Sequence, residues 1–114
     1  MIAKWEEKRS FPRINLKTAL RCQVRGTQEF NNVVSDDISA GGVSFVNESF
    51  IVPQTRVNLE INLLSRMINT TGRIIRANPL AHSNKYRWGV EFLEIDPLQK
   101  KYLSAYMNMQ IGKL

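Results

Sequence analysis

The chain has 114 residues, 43% of them hydrophobic and 23% charged, as is typical of one globular domain with a single core. It contains neither the roughly 20-residue apolar run that crosses a bilayer nor the apolar N-terminal stretch of a secretory signal, so we expect a cytoplasmic protein without membrane insertion. Seven of the 16 basic residues lie within residues 1–25, against two acidic ones, and this excess favours the binding of an anion.

The N-terminal residues 1–15 have no clear periodicity and predict a flexible basic segment. Pro12 disfavours helical backbone at Phe11, so Arg9 and Arg13 are not expected to lie one turn apart on a helix. In an extended or turning segment the two arginines can lie up to roughly 13 Å apart along the backbone, a distance comparable with the size of a folded dinucleotide.

Alternation of apolar and polar residues predicts strands through most of the remaining chain. The clearest example places Val57, Leu59, Ile61 and Leu63 on one face of a strand. Turn residues separate the strands, notably Gly26-Thr27, Ala40-Gly41-Gly42, Pro53 and Asn78-Pro79. The predicted strands cover about residues 16–25, 29–38, 43–45, 57–63, 68–77 and 86–93.

The pattern changes to helical spacing after the last strand. Asp96 is a favourable N-cap and Pro97 suits the first helical position, so we predict a helix over residues 96–110. One face of this helix is expected to pack on the core, and it carries Leu98, Tyr102, Ala105, Tyr106 and Met109. Six short strands followed by one helix predict a mainly β domain, a six-stranded antiparallel barrel over residues 16–94 with a C-terminal helix.

Two short motifs carry the chemistry of a nucleotide site. The first is Arg9-x-x-x-Arg13, and the second is Asp37-x-Ser39-x-x-Gly42. Guanidinium forks can bind phosphate oxygens or the O6/N7 edge of guanine, and a carboxylate can accept from the N–H groups of the other guanine edge. A glycine lets a backbone approach closely.

These motifs, in this order and with these strands around them, resemble the paired signature of the PilZ domain, a bacterial receptor family for cyclic di-GMP. Two later segments are also similar to the family, residues 72–76 (Gly-Arg-Ile-Ile-Arg) and residues 86–92 (Tyr-Arg-Trp-Gly-Val-Glu-Phe). The resemblance extends from about Lys8 to Met109. It implies a single stand-alone PilZ-like domain over residues 1–114, with a six-stranded barrel and an accessory C-terminal helix.

The resemblance also implies roles for the motif residues. Arg9 and Arg13 would bind the phosphates and guanine edges, Asp37 would accept from a guanine, and Ser39 would add a hydroxyl contact. Gly42 would let the backbone approach the ligand. Candidates for additional ligand contacts are Lys8, Gly41 and Trp88, the last as a stacking face unless it is a buried barrel residue.

Structural interpretations of the same residues stay open. The terminal arginines can be a solvated tail, Asp37 and Ser39 can bond their own turn backbone, and Gly41-Gly42 can be a bulge. At the level of function, the alternatives are a small basic barrel that binds single-stranded nucleic acid and a PilZ-like scaffold that binds no ligand. Sparse exposed aromatic residues make nucleic acid the less favoured partner.

An enzyme is not expected, and neither are a cofactor and a metal site. The chain has a single histidine, His82, which leaves little capacity for general-base catalysis. Asp36 and Asp37 are adjacent, so on a regular strand they would point to opposite faces. Cys22, the one cysteine, lies on the apolar face of its strand and is expected to be a core residue. We therefore predict a non-catalytic receptor for cyclic di-GMP that changes conformation on binding and signals to a protein partner that the sequence does not identify.

Overall fold

The computed structural model describes residues 13–64 and 66–112. Six strands and one helix follow each other along the chain. They are β1 (Ala19–Val24), β2 (Phe30–Ser39), β3 (Gly42–Asn47), β4 (Arg56–Leu63), β5 (Arg66–Pro79), β6 (Tyr86–Glu94) and α1 (Pro97–Gly112).

The six strands form a closed barrel in the order β1-β2-β3-β6-β5-β4, and all neighbouring strands are antiparallel. The predicted mainly β class, the six-stranded antiparallel barrel and the C-terminal helix are therefore confirmed. Closure pairs β1 with β4 as well as with β2, so no strand of the barrel is left with a free edge.

Inward-facing side chains from all six strands fill the barrel. They include Phe45 and Trp88, whose ring centroids lie 5.5 Å apart. The buried apolar set from the strands is Leu20, Cys22, Ile38, Val43, Phe45, Val57, Leu59, Ile61, Leu63, Ile68, Ile74, Trp88 and Val90. The alternation that the sequence showed most clearly, in β4, is the alternation between this core and the outer face.

Helix α1 begins as the sequence predicts. The Asp96 carboxylate accepts a hydrogen bond from the Leu98 amide at 2.8 Å, and Pro97 is the first helical residue. The helix lies against β5, where the Gln99 side chain accepts from the Asn69 amide at 3.1 Å. The Arg66 guanidinium is also 3.7 Å from the ring centroid of Tyr102.

The buried face of α1 differs from the predicted one. Leu103 and Met107 are the helix residues in the core, whereas Leu98 and Met109 are more than half exposed and Ala105 is exposed as well. Tyr102 and Tyr106, which the prediction also placed on this face, do pack against the core. Apolar residues occur around most of this helix, so the spacing alone could not select the face that the contacts with β5 select.

No helix in the described part of the chain is both long enough and apolar enough to cross a membrane.

Cys22 lies in the barrel core, as predicted, with no exposed surface. Burial raises the pKa of its thiol to about 12, because an apolar surrounding disfavours the thiolate. The thiol is therefore protonated at neutral pH and has little nucleophilic character.

We expect Cys22 to resist modification by a thiol reagent such as dithionitrobenzoate in the native protein at pH 8. Denaturation should expose one reactive thiol per chain, because only the unfolded thiol can ionise and meet the reagent. The measurement is the reaction rate with and without urea. Rapid stoichiometric reaction of the native protein would show that the barrel opens at β1.

Candidate functional site

The segment before β1 is held along β2 by backbone and side-chain hydrogen bonds. Ile14 and Ile38 exchange two backbone hydrogen bonds of 3.2 and 3.1 Å. Further along, the buried Ser35 hydroxyl accepts from the Thr18 amide at 2.9 Å and donates to the Leu16 carbonyl. Ile14 and Leu16 also pack on the core. The chain from residue 14 to residue 18 is thus placed beside the end of β2 that carries the second motif.

This placement brings Arg13 to Asp37. A guanidinium nitrogen of Arg13 donates to the Asp37 carboxylate at 3.5 Å, across 24 positions of sequence. The two side chains are 48% and 27% exposed, and an ion pair at this distance in water contributes little to stability. Arg13 of the first motif and Asp37 of the second therefore meet on one surface, in a contact that a competing ligand can replace at a small cost in free energy.

Asp36 and Asp37 both lie on the outer face of the barrel, contrary to the prediction that they point to opposite faces. The residues on either side of them, Ser35 and Ile38, are both fully buried. The cause is a bulge in β2, where the register with β3 shifts between Ser35 and Asp37 and Asp36 is the extra residue. An added residue breaks the two-residue alternation of a strand and re-aims the side chains that follow.

Asp36 binds two basic side chains that the sequence motifs did not include. Its carboxylate oxygens lie 3.7 Å from the Lys17 ammonium and 3.2 Å from Nε of Arg87. Arg87 comes from β6, on the far side of β3. The sequence carried no signal for this contact, because strand alternation does not reveal which strands become neighbours in the barrel.

Ser39 bonds the turn between β2 and β3. Its hydroxyl oxygen accepts from the Gly41 and Gly42 amides at 3.1 and 3.2 Å, and the residue is 5% exposed. The turn interpretation kept open from the sequence therefore describes the Ser39 side chain in this structure. Its contact with a ligand stays a prediction, as does that of Gly41.

Gly42 is required by the packing of β3 against β6. A Cβ atom at this position would lie 2.3 Å from the Val90 carbonyl oxygen, well inside van der Waals contact. The role expected from the sequence was access of the backbone to a ligand. The structure adds a reason within the barrel, because a side chain here would push the two strands apart.

Trp88 does not offer a free stacking face. The residue is 1% exposed, packs against Phe45, and donates its indole N–H to the Ser49 carbonyl at 2.9 Å. Its candidate role as a ligand platform is thus corrected, and the alternative of a buried barrel tryptophan is the one observed. Strand alternation explains the result, since Trp88 has the same parity as the core residue Val90.

Lys8 and Arg9 lie outside the described residues, so the first motif is represented in the structure by Arg13. Among the described residues, no group of three or more His, Cys, Asp and Glu side chains could hold a metal ion. The chemistry available at the site is therefore that of basic side chains, two carboxylates and backbone amides.

The chain was compared with known protein families, curated sequences and solved structures. The sequence profile of the PilZ domain matches residues 7–108. Among curated protein sequences, none matches the chain.

Several solved structures have a similar fold. The inhibitor of motility (MotI/DgrA) of Bacillus subtilis superposes with a TM-score of 0.78 at 22% identity, covering 91% of this chain and 52% of that one. The PilZ domain of YcgR from Escherichia coli, solved with c-di-GMP, gives 0.73 at 15% identity, with 93% and 92% covered. The PilZ domain of CeSA from a cellulose-synthesizing bacterium gives 0.62 at 20% identity, with 89% and 96% covered. The chain thus spans about half of the Bacillus subtilis protein.

We expect Gly42→Ala to destabilise the barrel by about 2 kcal/mol or more, since overpacking against a backbone atom cannot be relieved by a rotamer change. The measurement is the free energy of unfolding in urea. Gly112→Ala is the matched control, because a Cβ atom there meets no atom of the described part of the chain within 4 Å. Equal stability of the two variants would contradict the close approach of β3 and β6.

Proposed function

The chain belongs to the PilZ domain family, and on that premise we propose that it is a cyclic di-GMP receptor that signals by a change in its N-terminal segment. The observation that carries the proposal is the contact between Arg13 and Asp37. It brings a guanidinium fork and a carboxylate together on one surface, and groups of these two kinds can bind the phosphates and the guanine N–H groups of this ligand.

The ion pair between Arg13 and Asp37 suits an exchange of partners. On binding, a ligand phosphate would take the guanidinium of Arg13, and the N–H groups of a guanine would take the carboxylate of Asp37. Both charges keep a partner in the complex, so the ligand replaces an exposed contact that is itself worth little. Arg9, four positions earlier, would supply a second fork to the same ligand.

Similarity to other PilZ proteins supports the choice of ligand. The Escherichia coli YcgR domain of almost the same length is solved with c-di-GMP. The low identity carries only the fold, so the choice also rests on the motif residues of this chain. We propose no catalytic activity, because the site offers binding groups and the family is one of receptor modules.

The response to ligand would pass through the segment that carries the arginines. Arg13 precedes Ile14, which is bonded to β2, so the chain on the N-terminal side of Ile14 is the part that ligand binding would redirect. A protein partner in the cytoplasm would bind the surface that this rearranged N-terminal segment exposes. Control of motility is one such role, since the Bacillus subtilis protein of similar fold is described as an inhibitor of motility.

We expect cyclic di-GMP to bind the wild-type chain at micromolar concentration in titration calorimetry. Arg13→Ala and Asp37→Ala should each weaken binding at least about tenfold, because each removes a charge-assisted contact worth about 1.5–3 kcal/mol. Thermal stability should change little in either variant, since the pair is exposed. Arg25→Ala, at an exposed arginine in the turn after β1, is the control for Arg13→Ala, because it lowers the net charge by the same amount. No binding by the wild type would refute the receptor.

The salt dependence of binding separates this function from nucleic-acid binding. A ligand with two phosphates should give a slope of log K against log[salt] of about −2 or shallower, whereas an oligonucleotide that neutralises many phosphates gives a steeper one. The measurement is fluorescence anisotropy of labelled cyclic di-GMP and of a single-stranded 12-mer between 50 and 300 mM salt. Tight, steeply salt-dependent binding of the 12-mer alone would favour the nucleic-acid alternative.

A further inference from the structure

One row of residues crosses four strands on the outer face of the barrel, starting at Asp37. Strand register places Asp37 on β2 opposite Ser44 on β3, Ser44 opposite Gly89 on β6, and Gly89 opposite Arg76 on β5. With strands about 4.8 Å apart, the row is about 14 Å long. Arg13 contacts Asp37 at its first end, so basic groups lie at both ends.

Irregular backbone occurs at both ends of this row. The register shifts between Ser35 and Asp37 in β2 and between Ile74 and Arg76 in β5. Ile74 belongs to the core, and the shift gives β5 an extra residue before Arg76. Bulges are frequent next to binding sites because they re-aim a side chain out of the regular alternation.

Gly89 leaves the middle of the row without a side chain, and Arg76 occupies that space. A Cβ atom on Gly89 would lie 3.1 Å from Cγ, 3.2 Å from Nε and 3.4 Å from Cζ of Arg76. The arginine side chain therefore lies over Gly89 on β6. None of the ion pairs found among the described residues includes Arg76.

Ser44 supplies an independent sign that a ligand belongs here. Its neighbours Val43 and Phe45 face the core, so its side chain faces the row. The residue is 2% exposed, yet its hydroxyl has no hydrogen-bond partner among residues 13–64 and 66–112. Buried hydroxyl groups without a partner are rare in native proteins, and they cost free energy unless something else satisfies them.

We propose that Arg76 and Ser44 extend the ligand site, so that a guanine lies over Gly89 between Asp37 and Arg76. This inference rests on the proposed function and adds two residues to the predicted site. Asp37 accepts from the N1–H and N2–H groups of the base, and the Arg76 fork donates to O6 and N7 at the other edge. The Arg76 side chain lifts from Gly89 as the base enters, and the Ser44 hydroxyl gains its missing partner on the ligand.

The proposed arrangement would select guanine over adenine. Adenine presents its N6 amino donor where guanine presents the O6 acceptor. A guanidinium fork on adenine therefore keeps only the N7 acceptor and faces a donor at the other position. The carboxylate of Asp37 also loses both of its donors on adenine. Arg76 would thus be a specificity-determining residue, whose loss affects the choice of base more than the binding of phosphate.

The first test is Arg76→Lys, which keeps the positive charge and removes the planar fork. We expect it to weaken cyclic di-GMP binding about tenfold in calorimetry, and to weaken cyclic di-AMP binding less, so that the preference for guanine falls. Arg25→Lys is the matched control and should leave both affinities unchanged. An equal loss for both ligands would show that Arg76 reads no base edge and would overturn this role.

Cyclic di-IMP separates the two edges of the base, because inosine keeps O6 and N7 but lacks the N2 amino group. The penalty of cyclic di-IMP relative to cyclic di-GMP should disappear in Asp37→Ala and persist in Arg76→Lys. The reverse result would exchange the two roles and contradict the proposed orientation of the base.

The second variant is Ser44→Ala. We expect cyclic di-GMP to bind about three- to tenfold more weakly, while the melting temperature of the ligand-free protein stays the same or rises, because an unsatisfied hydroxyl is removed. Ser83→Ala, in the loop between β5 and β6, is the control. Wild-type affinity in both Ser44→Ala and Arg76→Lys would overturn the inference and leave the receptor standing, whereas no binding by the wild type would refute the receptor itself.

Discussion

The attachment of residues 14–18 to β2 is the constraint on which the site depends. Two backbone hydrogen bonds join Ile14 to Ile38, and the buried Ser35 hydroxyl bonds the chain at Thr18 and Leu16. Breaking these bonds would leave polar groups without partners next to the core, which is costly. Because β2 is fixed between β1 and β3 in a closed barrel, the attached segment is held in register, and Arg13 can reach Asp37 with side-chain motion alone.

The strand pairs with register shifts lie in the part of the barrel that carries the candidate site. The pairing of β4 with β5 runs through eight consecutive residue pairs without a shift, and β1 is regular against both neighbours. The shifts occur on the other side, in β2 and β5 where they face β3 and β6. Gly42 and Gly89 lie there as well, each where a Cβ atom would meet a neighbour. Departures from local regularity are expected at functional sites, where the regular core compensates for their cost.

The sequence was sufficient for features that depend on local pattern. Alternation located the six strands, and Asp96-Pro97 located the start of the helix. Of the motif residues, Arg13 and Asp37 are in contact. The sequence was insufficient where non-local contacts decide. The bulge that turns Asp36 and Asp37 to the same face has no residue signature in β2. The contact of Arg87 with Asp36 depends on the strand order β2-β3-β6, which the sequence pattern does not reveal. Trp88 is two positions from Val90 on the same strand, so alternation already indicated that it faces the core. The expectation of a stacking face for the ligand did not take this alternation into account.

The charges of the site fit a small dianion better than a long polyanion. Among the described residues here, Arg13, Lys17, Arg76 and Arg87 carry four positive charges against the two negative charges of Asp36 and Asp37, and Arg9 would add one more in the proposed complex. A polyanion gains affinity from each free cation, but here most cations already have a carboxylate partner. A ligand must therefore replace those partners group for group, and only one that brings N–H donors for the carboxylates as well as phosphates for the arginines can do so. In the proposed receptor, the acidic pair would therefore make binding depend on complementary hydrogen bonding and not on charge alone.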